Sequence, residues 1–183
     1  MLKYALKKFL YRLRGQYTTE HLQKLGMKVG KNFKRLHDVT LDPAHCWLIT
    51  IGDDVTMAPY VHILAHDAST CHSLGYAKIG RVNIGNNVFI GAKSIVLPNI
   101  TIGDNVIIGA GSVVTKSIEA NSVYAGNPAV KIMDYDTYIQ KQKLKMTDSN
   151  LFGEEYTLRN KNITAAQKEE MFKKLEHGIG FVK

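Results

Sequence analysis

The sequence predicts a mainly β protein, a parallel β-helix with a helix before it, a protruding loop and a helical tail after it. The first observation is a period of six, because an aliphatic residue opens each unit from Ile84 to Val114. A helix repeats every 3.6 residues and a strand about every two, so neither explains this period. The second observation is a glycine after most openers, followed by turn formers such as Asn86 and Asn87. Such hexads predict coils of about 18 residues, three hexads each, that stack on one another.

Residues 1–26 are predicted to form an amphipathic helical cap. Within residues 1–14, apolar side chains recur at helical spacing on one face, and lysines and arginines occupy the other. We expect the apolar face to cover the open end of the β-helix, because solenoid ends need capping. A weak contact of residues 1–14 with an anionic membrane surface is the alternative that this pattern leaves open.

The predicted β-helix covers residues 27–132. Ile51 and Met57 open two earlier hexads, and an irregular stretch before them has the length of one imperfect coil. The openers should point inward, and so should the small residues four places later, such as Ser94 and Ser112. The pattern is lost over residues 67–77, which predicts a loop excursion, a common location for functional residues.

Residues 133–183 are predicted to be a C-terminal helical extension. We expect one helix over residues 133–146 and a second from Ala165 to Glu176, with Thr164 as its N-cap. The extension contains no recognisable catalytic constellation.

Composition limits the partners and the compartment. The net charge of +8 suits anionic ligands, but no nucleic-acid-binding motif accompanies it, so we expect no nucleic-acid partner. Cys46 and Cys71 lie far apart in the sequence and are predicted to be reduced thiols of a cytoplasmic protein. The sequence has neither a transmembrane-length apolar stretch nor a recognisable secretory signal.

Three motifs resemble a known family. They are HILAHD at 62–67, the hexads at 83–118 and AGNPAVKI at 125–132. Together they resemble the hexapeptide-repeat acyltransferases, and within them the galactoside, maltose and polysaccharide O-acetyltransferases. The resemblance covers about 27–132. It implies a left-handed β-helix, a homotrimer with active sites between neighbours, and acetyl-CoA as co-substrate without a required metal.

The resemblance also implies roles for individual residues. His66 matches the general base that removes the acceptor hydroxyl proton, a task that suits imidazole near neutral pH. Ala92 matches the position whose backbone N–H stabilises the oxyanion, although relatives often carry serine there. The implied coenzyme A contacts are Phe89, Ala92, Ala110, Thr115, Lys116 and Lys131, the last in place of an arginine expected at Val130. The implied acceptor contacts are Asp42, Asp67 and Phe89.

The sequence therefore predicts an acetyl-CoA-dependent O-acetyltransferase that modifies a hydroxyl of a sugar or glycan. An N-acetyltransferase acting on an amino sugar would use the same base and stays an alternative. A metal enzyme similar to the γ-type carbonic anhydrases would need His62, His66 and His72 as zinc ligands, but their spacing does not match that family. The third alternative is a non-catalytic β-helix that binds a ligand.

Overall fold

The computed structural model describes residues 17–160 and 162–183, so the predicted helix at 1–14 lies outside them. The chain divides after Asp136 into two compact units. The first contains most of the short strands, and the second contains short helices and one small parallel strand pair.

The helices are α1 (Thr19–Lys24), α2 (Cys71–Leu74), α3 (Tyr135–Lys143) and α4 (Ala165–Lys174). The strands of the first coils are β1 (Lys28–Val29), β2 (Lys34–Arg35), β3 (Thr40–Leu41), β4 (Ile49–Ile51), β5 (Thr56–Met57) and β6 (His62–Ile63). They are followed by β7 (His66–Asp67), β8 (Lys78–Ile79), β9 (Val82–Ile84), β10 (Val88–Ile90), β11 (Ile95–Val96) and β12 (Ile100–Ile102). The remaining strands are β13 (Val106–Ile108), β14 (Val113–Val114), β15 (Ser122–Ala125), β16 (Val130–Asp134), β17 (Leu151–Phe152) and β18 (Phe181–Val182).

Consecutive strands of the first unit enter three sheets in turn. β1, β4, β9 and β12 form the first sheet, β2, β5, β10, β13 and β15 lie in the second, and β3, β6, β11 and β14 form the third. The neighbours within each of these sets are parallel. Each sheet therefore receives one strand from every coil, which is the arrangement of a parallel β-helix. In the regular part, Asn87 lies above Asn105, 18 residues later, as the hexads predict.

The core of the β-helix consists of the residues that the hexads predict to face inward. The openers Ile84, Ile90, Val96, Ile102, Ile108 and Val114 are all buried. The small residues four places later fit at the corners because their hydroxyls find main-chain partners there. Ser94 and Ser112 are fully buried, and both donate to the carbonyl of Gly109, at 2.9 and 2.6 Å.

The turn residues hold the coils in register. Asn87 and Asn105 both adopt a φ of 53°, in the left-handed region that asparagine tolerates better than most residues. Their side chains form a ladder, in which Asn87 donates to Asn105 and Asn105 donates to Asn121, each at 2.8 Å. The predicted turns are therefore confirmed.

A helix precedes the first coil of the β-helix, and an antiparallel strand follows the last. At the start, Leu22 of α1 is fully buried in the common core, and the predicted cap helix at 1–14 lies outside the described residues. At the end, the sequence predicts a helix from residue 133, and this boundary is wrong. The chain instead continues as β16 to Asp134, antiparallel to β15, and α3 begins at Tyr135. The free edge of β15 offers hydrogen bonds that a helix could not use, and Val130 and Ile132 favour a strand.

The predicted excursion is present, but it is ordered at its base. β7 and β8 form an antiparallel ribbon, with His66 paired with Ile79 and Asp67 with Lys78. Between them lie a 3₁₀ turn at Ala68–Thr70 and the helix α2.

The second unit contains the predicted helix of the extension, α4. The Thr164 hydroxyl accepts from the backbone N–H of Gln167 at 3.2 Å, which confirms the predicted N-cap. Cys46 and Cys71 are both free thiols. Across residues 17–160 and 162–183, none of the helices is both long enough and apolar enough to cross a membrane.

Candidate active site

His66 stands where the chain leaves the regular coils. It is the first residue of β7, directly after the buried Ala65, and about 35% of its side chain is exposed. The ribbon pairing with Ile79 fixes its backbone. The imidazole is thus anchored on one side and accessible on the other, as a group that exchanges protons with a ligand must be.

Asp42 lies beneath the imidazole and is 1% exposed. Its Oδ2 is 2.5 Å from His66 Nδ1 and also accepts from the backbone N–H of Ala65 at 2.9 Å. Its Oδ1 accepts from the backbone N–H groups of Ala44 and His45, at 3.0 and 3.3 Å. The carboxylate therefore has four partners within the chain and no exposed oxygen for a substrate.

The sequence predicts Asp42 as an acceptor contact, and this geometry favours a different role for its carboxylate. Its carboxylate points into the protein and orients His66 instead. Burial alone would raise the pKa of Asp42, but the hydrogen bonds from His66 and Ala65 outweigh it and lower the pKa below its ordinary value of 3.8. An ionised carboxylate only accepts hydrogen bonds, so Nδ1 of His66 carries a proton, and in the neutral ring the lone pair is on Nε2.

Two aromatic side chains, His45 and Trp47, pack in a row beside His66. The His45 ring lies 5.3 Å from the His66 ring, and the Trp47 ring lies 5.4 Å from His45, between centroids. Trp47 belongs to a 3₁₀ turn at Cys46–Leu48 and is 56% exposed. The sequence alone indicates no role for Trp47, because one aromatic residue in an irregular stretch gives no pattern.

The metal-enzyme alternative rested on His62, His66 and His72. In the described part of the chain, the group with potential ligand atoms within 4.8 Å of one another is instead Asp42, His45 and His66. The Asp42 oxygens already accept four hydrogen bonds. The grouping therefore fits a carboxylate that orients an imidazole better than the predicted set of three zinc ligands.

The residues predicted to meet the thioester lie along the second sheet and its corner. Phe89 is the outward residue of β10 and is 44% exposed. Ala92 follows at the corner, where its carbonyl accepts from Gly111 at 2.8 Å. Within residues 17–160 and 162–183, the N–H of Ala92 has no recorded acceptor. A main-chain donor left free at a corner is the type of group that can stabilise an oxyanion.

The predicted cofactor residues of the next corners are accessible. Ala110 is exposed after β13, and Thr115 and Lys116 are exposed after β14. Gly111 adopts a φ of 70°, and a β-carbon there would meet no atom within 4 Å, so the surface beside Ala110 is open. Ala110, Thr115 and Lys116 therefore lie on accessible surface.

Lys131 differs from its predicted role as a phosphate contact. Its ammonium group pairs with Glu119 at 2.6 Å and with Asp134 at 2.9 Å. The hydrogen bonds that Lys131 donates to Glu119 and Asp134 raise the pKa of Lys131 above its ordinary value of 10.5. Two carboxylates neutralise this lysine, so Lys116 is the better candidate for binding phosphate.

Asp67 is also engaged within the chain rather than free for an acceptor. It pairs with Lys78 at 2.6 Å across the base of the loop and accepts from the backbone N–H of Ser69 at 2.8 Å. The Lys78 and Ser69 hydrogen bonds lower its pKa to about 2. Asp67 therefore closes the loop, a role that sequence spacing alone could not distinguish from ligand binding.

The fold and this site can be compared with known proteins. The family model described as bacterial transferase hexapeptide (six repeats) matches residues 81–116. Protein CapG of Staphylococcus aureus is 41% identical over 140 residues, which cover 74% of this chain and 81% of CapG. Galactoside O-acetyltransferase of Escherichia coli (strain K12) is 41% identical over 103 residues, covering 55% of this chain and 50% of that enzyme.

A solved structure is also similar to this chain. Galactoside acetyltransferase in complex with coenzyme A has a TM-score of 0.58 and 36% sequence identity, covering 63% of this chain and 58% of that one. The chain thus spans most of CapG but only about half of the galactoside enzymes. The stacked hexads, the family match and the identity to CapG together show that the chain belongs to the hexapeptide-repeat acyltransferases.

Proposed function

We propose that this protein transfers an acetyl group from acetyl-CoA to a hydroxyl of a sugar or glycan, on a left-handed β-helix. The observation that carries the proposal is the His66–Asp42 pair, with a buried, ionised carboxylate behind an accessible imidazole. The names of the similar galactoside enzymes support an O-linked sugar acceptor, and the coenzyme A complex supports the donor.

His66 acts as the general base in this proposal. Because Nδ1 donates to Asp42, the lone pair on Nε2 is directed away from the carboxylate and can take the proton of the acceptor hydroxyl. The hydroxyl oxygen then attacks the thioester carbonyl. Asp42 is a positioning residue, since it acts only through the ring and stabilises the imidazolium that forms.

The remaining steps are formation and collapse of the tetrahedral intermediate and protonation of the departing thiolate. The backbone N–H of Ala92 stabilises the negative oxygen while the new carbon–oxygen bond forms. The carbon–sulfur bond then breaks, and the imidazolium of His66 returns its proton to the departing thiolate. The products are the acetyl ester and free coenzyme A, so neither Cys46 nor Cys71 is needed as a nucleophile.

Coil topology supports a site shared between subunits. His66 follows β6 at the corner after the third sheet, whereas Phe89 and Ala92 lie on the second sheet and the corner after it. In a triangular coil these are different corners of one chain. A cyclic trimer would bring the base corner of one protomer to the thioester corner of its neighbour.

The test is identification of the product. Purified protein is incubated with acetyl-CoA and a panel of galactosides, glucosides, maltose, amino sugars and glycan fragments, and products are analysed by mass spectrometry and mild alkaline treatment. We expect an acetylated sugar whose acetyl group is removed by mild alkali, as an ester is. An alkali-stable product formed only with amino sugars would replace this proposal with N-acetylation, and acetylation of no sugar would refute it.

A further inference from the structure

We propose that Trp47 is the stacking platform for the pyranose ring of the acceptor, beside the base and separated from it by His45. The inference deepens the proposed sugar acetylation and rests on it. Trp47 is the single tryptophan of the chain and is 56% exposed. One ring, that of His45, separates its indole from the imidazole of His66.

The turn that carries Trp47 is held by the buried side chain of Cys46 and by the main chain after α1. Cys46 is fully buried, and its thiol lies 3.7 Å from the carbonyl oxygen of Leu22. A β-carbon at Gly26 would lie 3.0 Å from Cβ of Trp47, so the main chain after α1 packs closely under the tryptophan. The exposed indole is thus held on an anchored turn rather than on a free loop.

The same carboxylate fixes the turn and the base. One oxygen of Asp42 holds His66, and the other accepts from the backbone N–H groups of Ala44 and His45, two residues before the indole. The spacing between Trp47 and His66 is therefore set before a ligand arrives. Such preorganisation lowers the cost of positioning a substrate hydroxyl against its base.

The chemistry of the two faces fits a pyranose. An indole combines a large apolar face with one N–H donor, and a pyranose ring combines a face of C–H groups with a rim of hydroxyls. Stacking on Trp47 would place one rim hydroxyl toward His66 across the His45 ring. The His45 ring packs between the indole and the imidazole of His66. Its Nδ1 is buried without a hydrogen-bond partner in the described part of the chain.

Tryptophan fluorescence reports on this site without interference from other indoles, because the chain has a single tryptophan. Wild-type protein is titrated with methyl β-galactopyranoside, methyl β-glucopyranoside and maltose, and with glycerol as a polyol that lacks a ring. We expect a saturable change in emission with at least one sugar that the enzyme acetylates, and none with glycerol.

Kinetics provide the second readout. Trp47→Ala should raise KM for that sugar by about tenfold and leave KM for acetyl-CoA within about twofold, the scale of one aromatic contact. Trp47→Phe keeps an aromatic ring and should recover part of the loss. Phe172→Ala removes an exposed aromatic ring from the second unit and should change neither KM. Light scattering compares the mass of each variant with that of wild type.

The outcomes separate the two proposals. Sugar turnover with unchanged fluorescence and an unchanged sugar KM in Trp47→Ala would overturn the platform and leave the acetyltransferase intact. A lower molecular mass for Trp47→Ala and Trp47→Phe would assign the indole to a subunit interface and also overturn it. If wild type acetylates no sugar, the proposed function fails whatever the fluorescence shows, and a lack of any fluorescence change would remove the platform as well.

Discussion

At the scale of single residues, the orientation of His66 depends on a carboxylate, Asp42, that sequence spacing located only approximately. The motif around His66 predicts that this residue is the base, and the spacing predicts Asp42 near the same cleft. Its role could not be predicted, because the two residues lie 24 positions apart across an irregular coil. Whether a carboxylate faces the ligand or the imidazole depends on the local turn at Ala44 and His45, which has no sequence signature.

Asp42→Asn tests the positioning role. The amide has a single oxygen, so it cannot accept from all four N–H groups that now bind the two carboxylate oxygens, and the His66 tautomer is no longer fixed. We expect kcat to fall by about 10²–10⁴-fold with KM for acetyl-CoA little changed. Steady-state kinetics and circular dichroism check this. Asp42→Glu, which keeps the charge, should be more active than Asn, and an Asn variant with wild-type kcat would contradict the role.

The lowered pKa of Asp42 predicts a pH dependence of stability. A carboxyl group whose pKa is lower in the folded state stabilises the fold above its ordinary value of 3.8. That contribution is lost as the pH falls through the folded-state pKa, because the unfolded chain takes up the proton first. The difference in free energy of unfolding between wild type and Asp42→Asn should therefore shrink below about pH 4. Urea unfolding at several pH values measures it, and a constant difference would be evidence against the shift.

At the scale of elements, the hexads predicted the coils because each opener meets the same environment in every coil. The excursion and the end of the β-helix were less predictable. Asp67 and Lys78 form their ion pair only after the two ends of the loop come together, and β16 depends on the free edge of β15. Both features are long-range pairings, which a local repeat does not encode.

Gly91→Ala tests how closely the coils stack. A β-carbon at Gly91 would collide with the main chain of Gly109 and Ala110 in the next coil, which cannot move aside as a side chain could. We expect the free energy of unfolding to fall by about 1–3 kcal/mol. Gly178→Ala is the control, because a β-carbon there would meet no atom within 4 Å. Equal melting temperatures for both variants would contradict the close stacking.

At the scale of the whole molecule, the corners that carry His66 and Ala92 are separated within one chain, which makes a shared site a prediction of the topology. At the corner that carries Ala92, a proline substitution would remove one backbone N–H. Pro59 occupies the position equivalent to Ala92 one coil earlier, since Met57 pairs with Ile90. Ala92→Pro should therefore fold and lose only the proposed oxyanion donor, with a drop of about 10²–10³-fold in kcat.

Mixing two inactive variants tests the shared site. His66→Ala and Ala92→Pro are each expected to be nearly inactive, but subunits exchanged between them would form some sites with both groups intact. We expect mixed assemblies, refolded together and sized as trimers by sedimentation, to recover part of the wild-type activity. A mixture that stays as inactive as its components, despite proven subunit exchange, would place both groups of each site in one chain.

Thiol release from acetyl-CoA tests whether His66 takes the proton of a sugar hydroxyl. The rate is compared for wild type, His66→Ala and the control His177→Ala, which removes an exposed histidine of the second unit. Each protein is assayed with and without a sugar that the wild type acetylates. We expect the sugar-dependent rate of thiol release to fall at least about 10²-fold in His66→Ala and to be unchanged in His177→Ala. A folded His66→Ala protein that releases thiol at the wild-type rate would contradict it.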